Sequence, residues 1–73
     1  MFQAGDKLSY TIGVRRNGKP MIGAHPVYFV RYAGMKMSSD SGMGERAIIR
    51  STDPAHSGEE EEEWAIRLNP WTE

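Results

Sequence analysis

The chain has 73 residues, no cysteine and a formal net charge of −1. That describes one domain near the small end of what folds unaided, without disulfide staples or thiolate metal ligands. No apolar run approaches the roughly 18 residues of a membrane span, and the first residues lack the basic and apolar regions of a signal peptide, so a cytoplasmic protein with no membrane attachment is expected.

Taken in chain order, residues 7–14 carry the clearest period. Leu8, Tyr10, Ile12 and Val14 alternate with Lys7, Ser9, Thr11 and Gly13, which predicts a strand with one wet face. Asn17-Gly18 then predicts a two-residue hairpin of type I′, both central residues at positive φ. Pro20 cannot donate to a ladder, so the returning strand should lie at an edge or carry a bulge. Residues 21–32 read as a long strand bent near Gly23 and His25-Pro26. Within it Val27 to Tyr32 is apolar on both parities, which predicts a strand covered on both faces at the centre of the core.

Residues 33–44 hold three Gly, three Ser and three Met with no apolar period, and they predict a flexible loop. A short strand is expected over 45–51, around Ala47-Ile48-Ile49, followed by an acidic loop over 53–63. The ending admits two readings. As a strand, Trp64, Ile66 and Leu68 point one way; as a helix, Ser57 caps and Glu60 completes a capping box. The clean alternation favours the strand. Residues 69–73 are expected to turn so that Trp71 covers the barrel mouth.

Only twelve residues are Ile, Leu, Val or Phe, so the aromatics and methionines must supply much of the core. Stability should be modest, and homo-oligomerisation would be an easy way to bury more surface.

Charge is divided along the chain. Residues 1–50 hold eight bases and three acids, whereas residues 51–73 hold seven acids and one base. Charge distribution governs encounter and partner choice rather than fold. The acidic run Glu59, Glu60, Glu61, Glu62 and Glu63 has three readings: a solvated or edge-guarding face, internal neutralisation of Arg15, Arg16 and Lys19, or a patch that docks on a basic partner. Basic residues interleaved with Tyr10, Tyr28 and Tyr32 are of the types that bind single-stranded nucleic acid, but a pI near 6.1 lacks the basic excess of a dedicated binder.

Catalytic patterns are weak. Gly13 to Pro20 nearly matches a phosphate-cradling loop, but Pro20 stands where the Mg²⁺-binding hydroxyl belongs and the surroundings read as a hairpin. His25 and His56 are the only histidines, and no local pattern sets a base beside a nucleophile. No catalytic residue, metal site or cofactor is expected.

Gly5-Asp6-Lys7-Leu8 opening an alternating strand, then a Gly-punctuated hairpin, then Val27-Tyr28-Phe29-Val30, resembles the small SH3-like barrels, including KOW- and Tudor-type modules. The resemblance covers residues 5–32 and implies about five short strands; the aromatic cage of Tudor-type modules has no counterpart here. The plasmid-borne type II dihydrofolate reductases are similar in size and barrel type, but their Val-Gln-Ile-Tyr cofactor segment is missing, so their activity is not implied.

The expectation is therefore an all-β chain: one small SH3-like barrel of four or five antiparallel strands over residues 1–73, with a long mobile loop at 33–44. Its expected role is a non-catalytic binding or adaptor module for a protein partner, comparable to the compact accessory proteins of phages and mobile elements. The candidate surface is Arg15, Arg16, Arg31 and Tyr32, opposed by Glu59 to Glu63. A nucleic-acid-binding barrel and an enzyme whose site forms only in a homo-oligomer are the alternatives.

Overall fold

A computed structural model describes residues 1–38 and 42–72. It is all-β. The strands are β1 (Lys7–Val14), β2 (Pro20–Ile22), β3 (Val27–Ser38), β4 (Gly42–Ser51), β5 (Glu60–Trp64) and β6 (Leu68–Pro70), with one 3₁₀ turn at Ala65–Arg67. They form one six-stranded antiparallel sheet in the order β2-β1-β3-β4-β5, and β6 returns to pair with β1. The ladder is open, so the sheet curls without closing into a barrel. The strand count exceeds the expected four or five because β2 and β6 are only three residues each, too short to show a period.

The β1–β2 connection is a three-residue loop, not the expected type I′ turn. The Gly18 amide donates to the Arg15 carbonyl at 2.9 Å, and the Arg15 amide donates to the Lys19 carbonyl at 2.8 Å. Within this loop only Gly18 takes positive φ, at 83°, and among the described residues no non-glycine does. A turn of three followed by a left-handed glycine is the next commonest hairpin solution. It places Arg16 at the tip and Arg15 and Lys19 at its base. Among the described residues β2 pairs with β1 alone, which accommodates Pro20 at the sheet edge.

β3 explains two misreadings. Phe29 pairs with Ile49 and Arg31 with Ile48, so Val30 is an extra residue. This bulge reverses the alternation. Phe29 is buried before it, and Tyr32 packs against the core after it. The apolar pattern on both parities therefore records a change of phase, not two covered faces; Tyr28 is exposed. A second bulge falls between Tyr32 and Met35, where Gly34 has φ of 86°. Glycine is what such a bulge requires. Beyond it β3 continues to Ser38 and β4 begins at Gly42. The expected loop over 33–44 is thus a hairpin extension for residues 33–38 and 42–44. Residues 39–41 lie outside the described residues.

The acidic loop is also shorter than expected, because residues 60–63 belong to β5. Alternation does not carry through to residue 68: the 3₁₀ turn intervenes and leaves Ile66 90% exposed while Leu68 is buried. After that turn the chain runs as β6, and Trp71 continues along β1, its amide donating to the Lys7 carbonyl at 3.1 Å.

The core is Leu8, Val27, Phe29, Ala47, Ile49 and Leu68, with Phe2, Tyr10, Tyr32 and Ala65 packed around it. Each large member contributes about 1.5–3 kcal/mol by leaving water. Phe29 sits between Phe2 and Tyr32, with ring centroids 5.8 and 4.8 Å away.

Candidate functional site

Strand pairing sorts the acidic run onto two faces. Glu60 pairs with Arg50 and Glu62 with Ile48, whereas Glu61 pairs with Ile49 and Glu63 with Ala47. Directly opposed residues share a face, so Glu61 and Glu63 lie on the side of the buried Ile49 and Ala47, and Glu60 and Glu62 lie on the other.

On that other face the acids meet bases. Glu62 accepts from Lys36 Nζ at 3.1 Å and from Arg46 Nε at 3.0 Å. Glu60 accepts from Arg50 Nη2 at 2.8 Å, with Arg31 Nη1 4.0 Å from its other oxygen. Arg46 is the best anchored of these bases: its guanidinium also lies 4.3 Å from the centre of the Trp64 ring, a favourable cation–π distance. Lys36 first, then Arg46, hold the Glu62 carboxyl below the usual carboxylate range by hydrogen bonding to its charged form. Exposed pairs contribute only about 0–1 kcal/mol each. Their larger effect is to neutralise the central sheet.

On the core-facing side Glu63 is structural. Tyr10 Oη donates to its Oε2 at 2.8 Å, and the Trp64 amide donates to its Oε1 at 2.8 Å. Its side chain is 15% exposed. Burial first, and then the Glu63 carboxylate, push the Tyr10 hydroxyl above its ordinary pKa. Glu59 lies 3.0 Å from His56 Nδ1. Among the described residues, Glu61 has no side-chain hydrogen bond or ion pair.

Internal neutralisation is therefore the outcome for most of the run, but its bases are Arg31, Lys36, Arg46 and Arg50. Arg15, Arg16 and Lys19 receive none of it: among the described residues no acid pairs with them. All three are exposed, at the end of an arm whose Val14 and Ile12 are 68% and 49% exposed.

The expected grouping of Arg15, Arg16, Arg31 and Tyr32 is not assembled. Arg31 sits beside Glu60 on β3. Tyr32 is half-buried against Phe29, and its hydroxyl accepts from the Phe2 amide at 2.9 Å. Only Arg15 and Arg16 remain, joined by Lys19. Lys19 was already grouped with Arg15 and Arg16 in the sequence, as bases the acidic run could neutralise; the bulge at Val30, which turns Tyr32 inward, was not legible.

Two hollows accompany these surfaces. One, of about 380 Å³, lies between the β2–β3 and β4–β5 connections and is lined by Tyr10, Ile12, His25, Asp53, His56 and Glu61 among others. Among the described residues no group of three His, Asp or Glu has metal-binding geometry. The other, of about 760 Å³, runs along Met35, Met37, Met43, Trp64 and Ile66. Gly44 forms part of its floor, and a Cβ there would stand 3.0 Å from the Trp64 ring.

No family model matches the sequence, and no curated relative or solved structure matches the chain. Among the described residues no helix is long and apolar enough to cross a membrane.

Proposed function

We propose that the chain is a non-catalytic protein-binding module of SH3-like strand plan, and that it docks an acidic segment of a partner through the β1–β2 arm. The observation that carries this reading is the uncompensated basic trio Arg15, Arg16 and Lys19 at the arm's end, in a molecule whose central bases already have acids. The exposed Ile12, Val14, Met21 and Ile22 behind it offer apolar contact to the same partner. Long-range attraction would bring an acidic segment to the trio, and the aliphatic arm would supply affinity once it arrives. The SH3-like part of this reading rests on the all-antiparallel strand order with β6 beside β1.

A nucleic-acid partner fits less well. Stacking platforms must stand beside the cations. The arm from Ile12 to Ile22 contains no aromatic residue. Tyr10 is engaged by Glu63, Tyr32 by Phe29, Trp64 by Arg46 and Trp71 by Lys7; Tyr28 is exposed but stands on β3 opposite Arg50, not on the arm.

The test is a pair of titrations at low and high salt, one with a peptide carrying Asp, Glu and Leu and one with a single-stranded oligonucleotide. The proposal expects the peptide to bind and the Arg15→Glu/Arg16→Glu/Lys19→Glu variant to lose it. Oligonucleotide binding with a steep salt slope and no peptide binding would favour the nucleic-acid reading instead.

A further inference from the structure

Three of the chain's five methionines stand on one face of the hairpin made by the ends of β3 and β4. Met37 pairs directly with Met43, and Met35 pairs with Glu45. Met35 and Met37 are two residues apart on one strand, so they share that face. The four side chains therefore occupy the corners of a quadrilateral: three thioethers and one carboxylate. Opposed Cβ atoms lie about 4.5–5.5 Å apart and same-face neighbours along a strand about 7 Å apart. A methionine side chain has three rotatable bonds with which to bring its sulfur inward from such corners.

We infer that Met35, Met37 and Met43, with Glu45 at the fourth corner, bind a soft monovalent cation of the Cu(I) or Ag(I) class. Thioether sulfur is a soft ligand that selects such ions over Zn²⁺, Mg²⁺ or Ca²⁺. The three methionines are 57%, 72% and 56% exposed, so an ion can reach them. Among the described residues the Glu45 side chain has no hydrogen bond or ion pair, which leaves a carboxylate to offset the cation's charge. Neighbouring bases have acids of their own: Glu62 holds Lys36 and Arg46, and Arg67, which also lines the groove, lies 3.9 Å from Glu63. Trp64 and Ile66 line the same groove. Apolar docking alone would be served as well by Leu or Ile; the element common to all three strand positions is sulfur. Binding forms only sulfur-to-metal dative bonds and involves no redox step.

The test uses the chain with ¹³C-labelled methionine methyls, titrated with Ag(I) in chloride-free buffer. The Met35, Met37 and Met43 methyl signals should shift and saturate at one equivalent, while Met1 and Met21 stay in place. Zn²⁺ should move none of them. Cu(I) kept reduced by ascorbate should displace Ag(I) from the same three. The Met37→Leu/Met43→Leu variant should bind at least about tenfold more weakly; both positions are exposed, and an unchanged amide spectrum elsewhere verifies its fold. Shifts of all five methyls without saturation, no shift at all, or undiminished binding by that variant would overturn the inference.

Discussion

Tyr10 Oη donates a 2.8 Å hydrogen bond to Glu63 Oε2, joining β1 to β5, two strands that share no ladder. The open sheet is thus drawn together by a side-chain bond where backbone pairing is absent. Tyr10→Phe removes the donor and leaves the part-buried Glu63 carboxylate short of a partner. The expected cost is about 1–2 kcal/mol, read as a lower midpoint in urea unfolding.

The same bond has a pH signature. Burial and Glu63 raise the Tyr10 pKa above that of an unfolded tyrosine. The folded state therefore holds the phenolic proton more tightly. Its contribution is complete below the unfolded value of about 10 and is lost as pH rises through the folded one. Unfolding free energy measured above about pH 10 should fall more steeply for the native chain than for Tyr10→Phe.

Glu62 works in the opposite direction. Its carboxyl is held below the ordinary value by Lys36 and Arg46, so its contribution is present above the unfolded pKa and lost as pH falls through the folded one. Carboxyl-resolved NMR should find Glu62 titrating below the usual carboxylate range. Lys36→Ala/Arg46→Ala should return its midpoint toward the ordinary carboxylate value, and high salt should weaken the lowering.

Gly44 lies under the Trp64 ring, where an added Cβ would be 3.0 Å from a ring carbon. Gly44→Val should displace the ring from between Gly44 and Arg46, costing about 1–3 kcal/mol as an overpacked contact. Trp64 fluorescence should shift to the red as the ring becomes wetter. Gly34→Ala tests the second β3 bulge: a φ of 86° strains any side chain, and a cost of about 1–2 kcal/mol is expected.

Much of this architecture was legible in the residues. The alternation of residues 7–14 gives β1 with its bounds, and Pro20 marks an edge. What misled was local. One extra residue at Val30 reverses the side-chain alternation, so Tyr32 belongs with Phe29 and not with Arg31. The Gly- and Ser-rich stretch after Ala33 looks like loop because small residues carry no period, yet Met35, Met37 and Met43 sit in register across it. The acidic run reads as one patch in sequence, but strand alternation sends Glu60 and Glu62 to the bases of β3 and β4 and turns Glu63 toward Tyr10. Those partners lie 10 to 53 positions away in the chain, a separation that no local pattern encodes.

The most direct test of the proposed docking surface is a ¹⁵N shift map recorded while the acidic, leucine-bearing peptide is added. The account predicts that perturbed amides cluster from Ile12 to Ile22 and that the cluster disappears in Arg15→Glu/Arg16→Glu/Lys19→Glu. Perturbations centred on Glu59 to Trp64, or a response that survives the triple reversal, would contradict it.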